Sequence, residues 1–280
     1  MSKATVRYAE RVIKMYKAGF IGCGNMGGAL ASAAVKAVGE QNVIVSDADN
    51  NKTKSFKEKY GAFTGSVKDV INNSEYIFLG VKPQMLKGLF NETGEYINER
   101  KDRFVLVSMA AGVSIASIKE MAGKDVPVIR IMPNMPVSTG EGVVLFTTDG
   151  VSDDEKNEFK SIMKCAGLVD EIEEAKIDAA SCISGCGPAF VYMFIEALAD
   201  GGVACGLPRD KAIAYASHTL SGASKTVLES GEHPEKLKDM VCSPAGSTIE
   251  GVKALEKGAF RSDVINAVVD SYKRTLELGK

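Results

Sequence analysis

Short apolar runs alternate with amphipathic stretches through the first half of the chain. Ala18–Ile21, Asn42–Ser46, Tyr76–Val81, Phe104–Ser108, Val126–Ile131 and Val143–Phe146 are near-continuous apolar runs rich in Val and Ile, without polar alternation. Strands of a parallel sheet look like this because helices cover both of its faces. Between them, the alanine-rich Met26–Val38 and the polar Lys52–Tyr60 read as helices. Strand–helix–strand spacing of this kind predicts a doubly wound, mainly parallel α/β domain.

The second half has a different rhythm. From about Glu173 onward no strand pattern is found. Pro188–Val203 and Arg209–Glu229 carry apolar residues at helical spacing. Phe260–Leu278 sets Val264, Ile265, Val268, Tyr272 and Leu276 on one face. Gly206-Leu207-Pro208-Arg209 and Ser230-Gly231-Glu232-His233-Pro234 break and restart helices. The expected division is an α/β domain over residues 1–172, with 1–15 an extension ahead of the first strand, and an all-α domain over 173–280. The apolar faces of these helices are wider than one small bundle needs, so a second subunit is expected to cover them.

Composition narrows the chemistry. Lys+Arg is 34 against 36 Asp+Glu, a net charge of −2, which gives no drive toward nucleic acid or an anionic membrane surface. Two histidines are too few for a His-rich metal site, and no metal is expected. The six cysteines, Cys23, Cys165, Cys182, Cys186, Cys205 and Cys242, form no C-x-x-C pair. They read as buried, reduced thiols of a cytoplasmic protein. The longest uncharged stretches, Ala18–Val35 and Ala179–Ile195, are interrupted by glycines, and neither is expected to span a membrane.

Gly22-Cys23-Gly24-Asn25-Met26-Gly27 is a G-x-G-x-x-G between an expected strand and an expected helix. In that context Gly22 permits the tight turn and Gly24 lets backbone approach a pyrophosphate. Gly27 lets helix and strand pack closely, and the helix N-terminus attracts phosphate charge. Ser46 and Asp47 end the second strand, Asp47 lying 20 residues past Gly27, the position from which an acid reaches a ribose 2′-hydroxyl. Lys52 and Lys54 follow and could instead pair with a 2′-phosphate, so NADH and NADPH both remain open. Gly80-Val81-Lys82-Pro83 and Ala110-Ala111-Gly112 sit at later strand ends, where ligands of such sheets bind; both are expected to line the cofactor cleft.

Further along, Ser247-x-x-Glu250 has the pattern of a capping box, predicting a helix from about Thr248 with Ile249, Val252 and Leu255 on its buried side. Backbone N–H groups at Ser247 and Thr248 would then face a substrate carboxylate. The surrounding stretch, Lys238-Asp239-Met240-Val241-Cys242-Ser243-Pro244-Ala245-Gly246-Ser247-Thr248-Ile249-Glu250, closely resembles the C-terminal signature of the pyrroline-5-carboxylate reductases. The resemblance runs over roughly residues 17–275. It takes in G-F-I-G-C-G-N-M-G (19–27), V-K-P (81–83), A-A-G-V (110–113), R-I-M-P-N-M-P (130–136), S-G-C-G-P-A-F (184–190) and G-E-H-P (231–234), in order.

What the resemblance implies is specific. The fold would be a Rossmann-type parallel sheet followed by an all-α dimerisation domain, forming a homodimer and larger rings of dimers. The activity would be NAD(P)H-dependent reduction of 1-pyrroline-5-carboxylate to L-proline. Thr248 would hydrogen-bond the ring nitrogen, with Ser243 also counted as catalytic. Glu174, Glu232, Met240, Ser243, Ser247 and Thr248 would surround the substrate. The chain departs from the family pattern in having Cys186 where serine is usual, Gly80 for Ala, Ala245 for Gly, and Asp47 where small or phosphate-friendly residues are common. A β-hydroxyacid dehydrogenase, which also couples such a sheet to helices, needs a lysine after the glycine-rich helix start. Here Pro188-Ala189-Phe190-Val191-Tyr192 supplies none. A non-enzymatic nucleotide sensor would not need the 243–248 loop.

Overall fold

A computed structural model describes residues 15–278. Of the expected extension over 1–15, all but Met15 lies outside the described residues. Among the described residues, eight strands and twelve α-helices follow one another. In the first half these are β1 (Tyr16–Ile21), α1 (Asn25–Val38), β2 (Val43–Ser46), α2 (Asn50–Tyr60), β3 (Phe63–Thr64), α3 (Val67–Asn72), β4 (Ser74–Leu79), α4 (Leu86–Glu99), β5 (Val105–Ser108), α5 (Ile115–Ala122), β6 (Val128–Pro133), β7 (Gly142–Asp149), α6 (Asp153–Met163) and β8 (Gly167–Glu171). The second half holds α7 (Glu174–Ser184), α8 (Gly187–Ala204), α9 (Arg209–Ser230), α10 (Pro234–Met240), α11 (Ser247–Lys257) and α12 (Phe260–Leu278).

The strands make one sheet in the order β3-β2-β1-β4-β5-β6-β7-β8. The continuous apolar runs are buried on both sides, as expected: Phe20, Phe78 and Phe146 pack with Phe159 of α6 on one face, and Ile77, Leu79 and Leu106 pack under α3–α5 on the other. Phe20 stacks on Phe78 at 4.3 Å between ring centres. One strand departs from the parallel pattern. β7 runs antiparallel to β6, because only residues 134–141 join them, with a single 3₁₀ turn at Met135–Thr139. A parallel return would need a crossover of a dozen residues or more. The chain direction is restored at β8, which pairs parallel with β7 after the α6 crossover. Strand order reverses beside β1, where β2 lies on one side and β4 on the other, and such a switch point opens a crevice at the carboxyl ends of the strands.

The chain forms two compact units, one through Ser181 and one from Cys182. The strands end near the expected 172/173 division, but the first turns of α7 stay with the sheet. Arg130 of β6 holds them through Glu174 at 3.3 Å and Asp178 at 3.0 Å.

The helical unit contains α8, α9, α10, α11 and α12 as expected. Among the described residues its buried hydrophobic residues are only Cys182, Ala199, Ala212 and Ala216, while Tyr192, Met193, Tyr215, Leu228 and Ile265 stand 57–80% exposed. Of the six thiols expected to be buried, only Cys182 is; Cys205 lies exposed on the uncovered helical unit and the other four are half-buried. Contrary to the expectation from the uncharged stretches, residues 174–204 are long and apolar enough by length and composition to cross a membrane, and 11% of their apolar window is buried. This apolar surface is the uncovered helical face itself, interrupted between α7 and α8 at Gly185-Cys186.

Candidate cofactor cleft and substrate loop

The glycine turn follows β1 at the switch point. The Gly22 N–H donates to the Ser46 carbonyl at 2.7 Å, and the Gly80 N–H donates to the Ile21 carbonyl at 2.7 Å, so the ends of β1, β2 and β4 are drawn together. Gly22 has φ +104°, a conformation that side-chain-bearing residues rarely adopt. A Cβ on Gly27 would lie 2.1 Å from the Gly22 carbonyl oxygen, whereas one on Gly24 would meet nothing within 4 Å. Gly27 is therefore a packing glycine, and Gly24 opens the backbone to a ligand. α1 starts at Asn25 with no side-chain cap, leaving its first N–H groups for an anion.

Asp47 closes the other side of the turn. Its Oδ2 accepts from the Cys23 N–H at 2.6 Å and its Oδ1 from the Asp49 N–H at 2.9 Å, with Lys52 Nζ 3.8 Å from Oδ1. Burial, together with the Asp47 carboxylate, pushes the Cys23 thiol up to about 12, so it is not a nucleophile at neutral pH.

A cleft of about 1030 Å³ opens here. Gly22, Gly24, Ser46, Asp47, Lys52, Gly80, Val81 and Lys82 line it. Cys23, Asn25, Met26, Gly27 and Pro83 are not part of the lining; Gly27 is buried, Cys23 and Met26 are half-buried, and Asn25 and Pro83 are exposed. Ala110-Ala111-Gly112, expected at the cleft, is not part of its lining: Ala110 is buried against the core, and the exposed turn after it leads into α5. Thr64, Gly65 and Ser66 do line the cleft and had not been expected there. The two-residue β3 has no readable periodicity, although Ser66-x-x-Asp69, a capping box at the start of α3, was a visible signal. Small hydroxyl and glycine residues, an uncapped helix start and one anchored carboxylate fit the pyrophosphate and ribose of a dinucleotide.

The candidate substrate loop lies in the helical unit. Pro244 and Ala245 form a turn closed by the Gly246 N–H on the Ser243 carbonyl at 3.0 Å, with Ala245 at φ +57°. The expected capping box does not form. Gly246 is the N-cap with φ −79° and ψ 170°, and α11 begins at Ser247 without a side-chain cap. Glu250, rather than reaching back, pairs with Lys253 at 3.0 Å. Ile249 and Val252 are half-buried and Leu255 is exposed. Ser243, Ser247 and Thr248 are exposed around this helix start, and Met240 is exposed at the end of α10. Glu232 pairs with Lys236 at 2.6 Å. His233 Nδ1 accepts from the Glu235 N–H at 3.2 Å, a helix cap. Glu174 belongs to the other unit, where its Oε1 accepts from the Ile115 N–H of α5 at 2.9 Å and from Arg130 at 3.3 Å.

A parallel sheet with a glycine turn at its switch point and an acid ending β2, followed by a helical unit, defines a dinucleotide-dependent oxidoreductase. Residues 174–278 match the family model for pyrroline-5-carboxylate reductase dimerisation, and residues 17–112 match that for coenzyme F420-dependent NADP oxidoreductases. The chain belongs to the pyrroline-5-carboxylate reductase family. It is 40% identical to pyrroline-5-carboxylate reductase 3 of Danio rerio, over 94% of this chain and 91% of that protein. It is 37% identical to the Escherichia coli K12 pyrroline-5-carboxylate reductase, over 94% and 98%. Among solved structures, the Coxiella burnetii reductase superposes with a TM-score of 0.87 at 30% identity, over 95% of this chain and all of that one. The Plasmodium falciparum reductase, with NADP bound, gives 0.81 at 30% identity, over 96% and all of that chain.

Proposed function

We propose that this oxidoreductase reduces 1-pyrroline-5-carboxylate to L-proline, using NADH or NADPH, as the last step of proline biosynthesis. Family membership supports the reaction. The observation that carries the placement of substrate is the uncapped, exposed start of α11. The N–H groups of Ser247, Thr248 and Ile249 have no intrahelical partners there, and a helix N-terminus favours a carboxylate. The nicotinamide supplies the hydride that C5 of the imine accepts. Thr248 Oγ1 hydrogen-bonds the ring nitrogen and orients C5. Its hydroxyl is too weak an acid at neutral pH to be a matched general acid, and the imine becomes more electrophilic once protonated. Ser243 fixes the loop turn beneath the carboxylate, and Met240 and Glu232 flank the ring. Glu174 contributes by holding α5 through the Ile115 N–H. Most of the acceleration then comes from positioning, whose upper range is about 7–11 kcal/mol.

Residues 1–172 hold the cofactor, with Gly22, Cys23, Gly24, Asn25, Met26 and Gly27 around the pyrophosphate, Ser46 and Asp47 toward the ribose, and Gly80, Val81, Lys82 and Pro83 at the β4 end. Ala110, Ala111 and Gly112, outside the cleft lining, act toward the nicotinamide half. Residues 173–280 carry the substrate loop and the dimer contacts. Two copies cover each other's exposed helices, and dimers assemble into a larger ring. Six thiols with no disulfide among them support a cytoplasmic setting.

Following cofactor absorbance with pyrroline-5-carboxylate, and with a 3-hydroxyacid as control, tests the reaction. Consumption with the imine alone is expected; no consumption of either cofactor with the imine refutes it. Light scattering tests the assembly, and a monomeric mass at micromolar concentration refutes it.

A further inference from the structure

Asp47 is held more firmly than an acid on a cleft wall needs to be. Each of its oxygens takes a backbone N–H, one from Cys23 in the glycine turn and one from Asp49 beyond β2. Its side chain is only 11% exposed, yet it lines the cleft. A carboxylate offers about four acceptor positions, so two remain for a ligand hydroxyl. The carboxylate cannot swing aside without releasing the Cys23 N–H and loosening the turn that faces the pyrophosphate. The cations of the cleft lining are Lys52 and Lys82, with no arginine. Lys82 sits beyond the end of β4, and Lys54, expected as a second phosphate partner, is not part of the lining. Lys52 lies 3.8 Å from Asp47 Oδ1 and is balanced by it. Of the other polar residues of the lining, Asn50, Thr53, Thr64 and Ser66 are neutral and Glu92 is a second acid.

Building on the dinucleotide reading above, we propose that Asp47 makes this enzyme select NADH over NADPH. The ribose 2′-hydroxyl of NADH donates to the anchored carboxylate. A 2′-phosphate would bring roughly two negative charges against a carboxylate that cannot retreat, and the one nearby cation is already paired. Asp47 is thus both the latch of the glycine turn and the residue that reads the ribose.

The test measures Kd for NADH and NADPH by calorimetry, without substrate, on wild type, Asp47→Ser and Asp47→Asn. The kcat/KM values with pyrroline-5-carboxylate are measured alongside. Wild type is expected to bind NADH at least about tenfold more tightly than NADPH. Asp47→Ser narrows or inverts that ratio by tightening NADPH. Asp47→Asn keeps an acceptor for the Cys23 N–H while removing the charge, and it narrows the ratio in the same direction if the serine variant fails to fold. Wild-type binding that is equal for the two cofactors or favours NADPH overturns the inference. Binding in the expected ratio without turnover of the imine supports the inference and refutes the proposed reaction.

Discussion

Replacing Gly27 by alanine isolates what the glycine turn demands of the fold. The new Cβ would stand 2.1 Å from the Gly22 carbonyl oxygen and 3.8 Å from Gly80 Cα, both backbone atoms. An ordinary contact needs about 3.5 Å, so α1 or the turn must move by about 1.4 Å. The turn resists, because Gly22 is bonded to Ser46 and the neighbouring Gly80 to Ile21. Overpacking of this kind costs about 1–3 kcal/mol, while alanine in a helix gains up to about 1 kcal/mol over glycine. The expected net loss is about 1–2 kcal/mol. A shift of this size at a ligand-facing turn should also weaken cofactor-dependent turnover by up to about 100-fold. Gly24→Ala is the control. With nothing within 4 Å of its Cβ, it loses at most about 1 kcal/mol as a poorer N-cap, but it fills the space the pyrophosphate needs. Urea denaturation and NADH titration of both variants separate the roles. An unchanged midpoint for Gly27→Ala refutes the packing argument, and wild-type NADH affinity for Gly24→Ala refutes the pyrophosphate assignment.

Three further outcomes are expected. Thr248→Ala lowers kcat roughly tenfold, the scale of one lost hydrogen bond to a polarised partner, with NADH affinity unchanged in direct titration; full activity removes Thr248 from the reaction. Ala245→Gly relieves the φ of +57° and stabilises the protein by up to about 1 kcal/mol, read from the urea midpoint; a lower midpoint contradicts this. Arg103 holds Glu155 by two hydrogen bonds, at 2.7 and 2.9 Å, and with the Ser152 cap bonds lowers the carboxyl from 4.5 to about 2. The native state therefore binds that proton less readily than the unfolded chain. The contribution is complete above about pH 4.5 and is lost as pH falls toward 2. Arg103→Ala should reduce stability at pH 7 and flatten the acid limb, and an unchanged limb sinks the argument.

The sheet was legible where burial alone sets the pattern. Val43–Ser46 and Val105–Ser108 are buried at every position, so nothing polar interrupts them and they read as interior strands. β3 and β8 were not legible: both are edge strands with exposed residues, and two residues carry no period. The direction of β7 depends on the brevity of the 134–141 connection rather than on the strand's own composition. At the cleft, Gly22, Gly24, Gly27 and Asp47 were readable because a close backbone approach admits few residue types. The absence of Ala110–Gly112 from the lining was not readable, since small residues at a strand end mark a close approach without saying to what. The capping box at Ser247 failed for a local reason. Gly246 takes the cap position one residue early, and Glu250 finds Lys253 one helical turn ahead.

The failed capping box bears on function. Had Ser247 capped the helix, its hydroxyl would have satisfied an N–H that a carboxylate could otherwise claim. Gly246 gives the same backbone geometry and offers no competing oxygen, so the donors that the proposed carboxylate site needs stay free of a side-chain cap. The helical unit shows the same logic on a larger scale. Its periodicity was legible, and its helices form where expected, yet the chain by itself buries mainly alanines there. Leu228 at 80% exposure, Met193 at 69% and Ile265 at 61% each stand to gain up to about 1.5–3 kcal/mol if fully covered. A sequence that leaves so much apolar surface outside its own core specifies a second chain, and the dimerisation match over 174–278 says that a copy of the same chain supplies it. The proposed substrate loop at 243–248 is part of this helical unit, so the order of that loop is expected to depend on dimer formation as well as on the fold of one chain.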